Sequence, residues 1–189
     1  MYEVEIKVEL TKEEKDNLIK SFKEKGFEFR KTTPQRDFYI KAEKSQYYDQ
    51  GGEYDVKRCR DEDGELIYTA KIWEMVDGQV ARQEEEYELS KEEFDAKLEE
   101  FKDTTLKIEK IREWFWGEYK DQKISITIDS VKFDHSPEER YFIEAEIDVF
   151  DKNEAKPTKT LIEDFLKEIL DKDRVIEAPG MFGMAFEKK

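Results

Sequence analysis

The chain has 189 residues, 37% hydrophobic, 13% aromatic and 44% charged, which is the length of one domain, residues 1–189, with its apolar mass in large side chains. Its net charge of −15 works against nucleic acid and anionic membranes as partners. No apolar run approaches the roughly 20 residues of a membrane helix, and the single cysteine, Cys59, excludes an internal disulfide framework and a cysteine-based zinc cage.

The N-terminal MYEVEIKVEL is charged at once, so no secretory signal is expected and a cytoplasmic location is the simplest reading. Residues 2–10 alternate strictly, with Val4, Ile6 and Val8 on one face and Glu3, Glu5, Lys7 and Glu9 on the other, which predicts a strand. A helix follows: Thr11 and Glu14 form a capping box, Leu18, Ile19 and Phe22 an apolar stripe, and Gly26 suits the C-terminal cap. Residues 36–41 read as a short strand, and polar residues 42–52 as a loop. Strands at 53–60 and 65–74 flank Asp63-Gly64, a hairpin signal, and a second turn at Asp77-Gly78 leads into a strand at 79–89. Ser90 and Glu93 cap a helix running to about residue 102, with Phe94, Leu98 and Phe101 on one side. Strands are expected at 107–116, 122–133 and 140–150, a third helix at about 158–171, and an irregular tail or short cap from Pro179. The expected class is α+β: eight mostly antiparallel strands, a number that closes into a barrel able to hold one small ligand, with about three flanking helices.

Side chains at i and i+2 on a strand share a face. Like-charged pairs recur at that spacing: Glu3/Glu5, Arg58/Arg60, Glu84/Glu86, Lys110/Arg112 and Glu144/Glu146, with Lys7, Lys71, Arg82 and Asp129 able to join them. A solvated outer face would explain any single pair. The set is harder to explain so, because each pair has one sign and the named residues include seven bases against seven acids in a chain with a large acid excess. The alternative is that these faces line a polar interior while the apolar faces lie under the helices. Such an interior becomes sensible when it holds a polyanion and cations: Arg and Lys grip phosphate oxygens, and carboxylates bind Mg²⁺ or Mn²⁺.

The order of these residues resembles the CYTH superfamily of triphosphate tunnel metalloenzymes, which includes class IV adenylyl cyclases, thiamine triphosphatases and inorganic tripolyphosphatases. Glu3-Val4-Glu5-Ile6-Lys7 matches its E-x-E-x-K opening, and Gln35-Arg36-Asp37-Phe38-Tyr39 its Q-x-D-x-Y segment. Arg58-Cys59-Arg60, Lys71, Arg82 to Glu86, Lys110-Ile111-Arg112, Asp129 and Glu144-Ala145-Glu146 follow in order. The resemblance implies a barrel tunnel. It implies metal ligation by Glu3, Glu5, Asp129, Glu144 and Glu146, and triphosphate binding by Lys7, Arg58, Arg60, Lys71, Arg82, Lys110 and Arg112. Among these, Glu3, Glu5, Lys7, Lys110 and Arg112 would be catalytic, with Glu84 and Glu86 organising the interior or positioning water. The implied cofactor is Mg²⁺ or Mn²⁺. The implied partner is ATP, tripolyphosphate or thiamine triphosphate, with a homodimer left open. His135-Ser136-Pro137 and the tail GMFGMAF depart from the family pattern, which bears on substrate identity more than on phosphate chemistry.

The competing readings are a non-catalytic polyanion-binding module and a charged interaction domain without a ligand. Trp73, Trp114, Trp116 and Tyr39 are candidates to stack on an organic group, and each is also a natural core residue. His135 beside a turn is expected to be solvated, and Cys59, pointing away from its two arginines, to serve as a small apolar residue.

Overall fold

The computed structural model describes residues 2–50, 54–76, 79–102, 105–173 and 175–186. The chain is α+β, and among the described residues there are eight antiparallel strands: β1 (Tyr2–Leu10), β2 (Glu28–Lys44), β3 (Tyr54–Glu62), β4 (Glu65–Val76), β5 (Gln79–Glu88), β6 (Leu106–Tyr119), β7 (Gln122–Phe133) and β8 (Glu139–Val149). The helices are α1 (Lys12–Glu24), α2 (Lys91–Glu100), α3 (Ala155–Leu170) and the short α4 (Met181–Phe186). Hydrogen-bonded neighbours run in the order β1-β8-β7-β6-β2-β3-β4-β5. No helix among the described residues is long and apolar enough to cross a membrane.

Local chemistry accounts for the element ends. Both capping boxes form, Thr11 with Glu14 and Ser90 with Glu93, each satisfying two backbone donors at a helix start. Gly26 follows α1 at φ 82°, the left-handed geometry that a glycine adopts without steric cost. Asp63 and Gly64 both have positive φ, as the two-residue link between β3 and β4 requires. The β4–β5 ladder reaches the pair Val76 and Gln79; Asp77-Gly78 itself lies outside the described residues.

Several boundaries differ from the sequence reading, most of all in β2. Strand β2 has 17 residues rather than six, because it runs through Pro34 and into the segment taken for a loop. The remainder of that segment contains a 3₁₀ turn at Tyr48–Gln50. Helix α3 starts at Ala155, with Pro157 in its first turn, where its missing N–H would find no intrahelical partner.

The described residues form two compact units. The first comprises residues up to 33, 110–132 and 138–180; the second comprises 34–109, 133–137 and those from 181 onward. In the first, Val4, Ile6, Val8 and Leu10 of β1 join Ile124, Ile126 and Ile128 of β7 and Ile143, Ala145, Ile147 and Val149 of β8 in one core, covered by Leu18 and Phe22 of α1 and Ile162, Phe165 and Leu166 of α3. The alternation places Glu3, Glu5, Lys7, Glu144 and Glu146 on the opposite face of the same strands. In the second, Ile40, Cys59, Tyr68 and Ala70 pack with Phe94 of α2. Cys59 is thus a core residue, and burial pushes its thiol up to about 11.

Gly117 lies directly against the Phe27 ring in the first unit. A Cβ there would lie 2.1 Å from Cδ1 of Phe27, whose ring packs on Phe22 and Phe165 at centroid distances of 5.1 and 5.7 Å. Gly117→Ala should therefore cost about 1–3 kcal/mol, seen as a lowered midpoint in chemical denaturation with an unchanged slope. An unshifted midpoint would mean that Phe27 can move aside.

Candidate functional site

The first unit carries a chain of ion pairs on the polar face of its sheet. The β1–β8 register sets Glu5 opposite Glu146 and Lys7 opposite Glu144, while β7 sets Thr127 opposite Glu144. Lys7 Nζ lies 2.8 Å from Glu144. Arg112 of β6 grips Asp129 of β7 with two bonds, Nε to Oδ1 at 2.8 Å and Nη2 to Oδ2 at 2.7 Å, and its Nη2 is 3.5 Å from Glu144. Asp129 is 1% exposed and Lys110 4%, so this face is desolvated and its charges need partners.

The carboxylates divide their roles accordingly. Burial pushes Glu5 up, reinforced by its hydrogen bond to Glu144 and by that residue's charge, to about 8. Burial also raises Glu146, with the charges of Glu3, Glu144 and Asp148 adding to it, to about 7. Burial pushes Glu144 the same way, but Arg112, Lys7 and the proton on Glu5 outweigh it and hold Glu144 well below the usual range. Lys7 loses solvation too, yet Glu144 and Glu5 keep its ammonium favoured, above its ordinary value. Near neutral pH, Glu5 thus donates its proton to an ionised Glu144.

The second unit repeats the arrangement with two arginines. Arg60 holds Asp37, itself 1% exposed, through Nε to Oδ1 at 2.6 Å and Nη2 to Oδ2 at 3.1 Å. Arg58 donates to Thr69 Oγ1 at 2.9 Å and stands 3.9 Å from Asp37. Its Nε is buried with no hydrogen-bond partner among the described residues. Lys71 pairs with Glu84 at 2.9 Å, and Glu86 accepts from Thr69 at 3.1 Å. Arg82 is opposite Trp73 in the β4–β5 ladder; its side chain lies outside the described residues.

Within the first unit, Glu5, Lys7, Arg112, Asp129 and Glu144 make direct contacts, with Glu3 and Glu146 acting through charge. Within the second, Arg58, Arg60 and Glu86 are linked through Asp37 and Thr69, and Lys71 pairs with Glu84. The sequence reading quoted Gln35 and Asp37 as a motif but gave them no role. The structure makes Asp37 the counter-charge of Arg60, and Gln35 a donor to Glu62 at 2.6 Å. Their i, i+2 spacing was the available signal. Thr69 and Thr127, both buried, stand at the same spacing from Lys71 and Asp129. Among the aromatics, Tyr39 is buried, Trp73 and Trp114 are half-buried, and Trp116 is 53% exposed.

Among the described residues, no three acidic, histidine or cysteine side chains converge on one point as a ready cation cage. Asp129 has both oxygens engaged by Arg112. Glu5 and Glu144 still fit a hard cation. They are two adjacent carboxylates that now share a proton, and Mg²⁺ is characteristically held by one or two carboxylates together with water and substrate phosphates.

Comparison with curated proteins returns no match. Several solved structures share the fold. A protein of Pyrococcus horikoshii OT3, PH1819, is 24% identical with a TM-score of 0.63, over 94% of this chain and 95% of that one. A candidate adenylate cyclase of Vibrio parahaemolyticus is 17% identical at TM-score 0.60, over 97% of each chain. Another, from Bacillus halodurans, is 17% identical at 0.56, over 98% and 97%. The CYTH domain family model matches residues 1–175, taking in every motif from Glu3 to Glu146. With E-x-E-x-K in β1, R-x-R in β3, K-x-R in β6 and E-x-E in β8 all on strands, the chain belongs to the CYTH family.

Proposed function

We propose that the protein is a divalent-cation-dependent enzyme that cleaves a phosphoanhydride bond of a triphosphate, with residues 1–189 acting as one CYTH unit. The observation that carries this reading is the mutual neutralisation of two same-face charge sets. Arg58, Arg60 and Lys71 are matched by Asp37, Glu86 and Glu84, and Lys7 and Arg112 by Glu144 and Asp129. The buried members of these sets need their partners, and a polyanion with its cation supplies equivalent ones.

Arg58 and Arg60 would take phosphate oxygens, exchanging contacts with Thr69 and Asp37 for charge-assisted bonds to the substrate. Lys7, Lys71, Lys110 and Arg112 would add positive charge, with Arg82 contributing as the family pattern implies. Glu5 and Glu144 would hold Mg²⁺ or Mn²⁺, with Glu3, Glu146 and Asp129 supporting them; Asp129 does so while it orients Arg112. A cation held there would supply charge neutralisation at the phosphate oxygens and would make an attacking oxygen easier to deprotonate. Glu5 would release its shared proton to solvent when the site fills. Glu84 and Glu86, both exposed, would accept hydrogen bonds from an attacking water.

In triphosphate hydrolysis, the water oxygen bonds to the terminal phosphorus and loses a proton to solvent, the bridging P–O bond breaks with its electron pair going to the departing diphosphate, and orthophosphate forms. In cyclisation, a ribose 3′-hydroxyl oxygen bonds to the α-phosphorus and loses its proton to solvent, and pyrophosphate leaves with the electron pair of the broken bond. Both need in-line placement and charge stabilisation more than covalent catalysis. Phosphorus NMR of the protein with Mg²⁺ or Mn²⁺ and, separately, ATP, tripolyphosphate and thiamine triphosphate tests the proposal. Orthophosphate would identify a triphosphatase, and pyrophosphate with a cyclic nucleotide a cyclase, each suppressed by a chelator. Binding of triphosphate without any product would favour the polyanion-binding module instead.

A further inference from the structure

The first unit contains a groove of about 950 Å³ along the start of β2, the β6–β7 turn and the end of β8. Two of its lining residues, Ser125 and Glu146, face each other in the β7–β8 ladder and belong to the polar face described above. Another is Trp116, the last of four residues, Lys110, Arg112, Trp114 and Trp116, that alternation puts on one side of β6. That side therefore changes from cationic to aromatic along the strand. Trp116 is 53% exposed, and the guanidinium of Arg30 lies 4.4 Å from its ring centroid. Next to it on that side, Trp114 Nε1 is buried without a hydrogen-bond partner among the described residues.

A single exposed tryptophan is ordinary on a protein surface. This one lines a groove large enough for a nucleoside-sized group and continues directly from the phosphate-side residues. Arg112 and Trp116 are four residues apart, about 13 Å along the strand. Phosphates held at Arg112 would place an attached organic group alongside the indole. Resting on the triphosphate reading above, we infer that the substrate is an organic triphosphate whose flat aromatic ring stacks on Trp116 in this groove. Inorganic tripolyphosphate would fill only the charged part of the site.

The test measures dissociation constants, with Mg²⁺ present, of hydrolysis-resistant imido analogues of ATP and of tripolyphosphate, for wild type, Trp116→Ala and Trp116→Phe. Stacking of a base on an aromatic side chain contributes enough that its removal should cut the preference for the aromatic analogue by about tenfold. Trp116→Phe should restore most of it, because any aromatic face serves. Wild type that binds both analogues, with a preference that Trp116→Ala leaves unchanged, would overturn this inference while sparing the triphosphate reading. Wild type that binds neither analogue would remove the triphosphate reading, and this inference with it.

Discussion

Glu5→Gln is expected to lower cation-dependent turnover of triphosphate by roughly two to three orders of magnitude while leaving the fold intact. Glu5 carries a proton near neutral pH, its pKa standing at about 8, so an uncharged amide reproduces its state in the cation-free protein. What the amide cannot do is ionise to hold Mg²⁺. The same variant should change the pH dependence of stability. Because its folded-state pKa is raised, Glu5 retains a proton that the unfolded chain releases near 4.5, so its contribution is intact below that value and is lost as pH climbs through about 8. Glu146, raised to about 7, acts in the same direction. Glu144, held low, acts oppositely, and only toward acid. Thermal unfolding without added cation should thus show wild type losing stability between about pH 5 and 8 and Glu5→Gln losing distinctly less. Equal slopes would show that Glu5 does not share its proton as the geometry indicates, and unchanged turnover would remove this carboxylate from the cation site.

Asp129→Ala is expected to be the most destabilising single change in the polar face, by about 3–5 kcal/mol. The aspartate is 1% exposed and gives both oxygens to Arg112, whose side chain is 11% exposed. Without it, the guanidinium loses its two-bond partner and is left 3.5 Å from Glu144. Breaking one side of a buried pair leaves an uncompensated charge, whereas replacing both sides with apolar residues does not. The double variant Arg112→Met with Asp129→Leu should therefore recover most of the stability and none of the activity. At a few degrees per kcal/mol for a chain of this length, the single variant should unfold on the order of 10 °C earlier. A loss below about 1 kcal/mol would mean that solvent reaches this pair.

The elements that were legible in the sequence have signals within a few residues of one another. Val4, Ile6 and Val8 alternate with Glu3, Glu5 and Lys7; Thr11 and Ser90 each meet a glutamate three positions on; Asp63-Gly64 carries its own turn geometry. Strand β2 was under-read because its inward residues Thr33, Gln35 and Asp37 are polar yet buried, and hydropathy sees no strand in such a run. Pro34 added a false stop. The like-charged pairs were visible, since i, i+2 spacing is a property of one strand. Their partners were not. That Lys7 meets Glu144, or Arg60 meets Asp37, depends on register between strands distant in the chain. Trp116 read both as a stacking candidate and as a core residue, because nothing local distinguishes it from Phe115, which is fully buried one position before.

The most direct measurement is calorimetric titration of wild type and Glu5→Gln with an imido analogue of tripolyphosphate, with Mn²⁺ and with chelator. If the β1 and β8 carboxylates hold the cation that bridges to the phosphates, Mn²⁺ should tighten binding to wild type by at least about tenfold and leave Glu5→Gln nearly unaffected. Binding that is equally tight with and without the cation, or a cation effect that survives Glu5→Gln, would contradict the account.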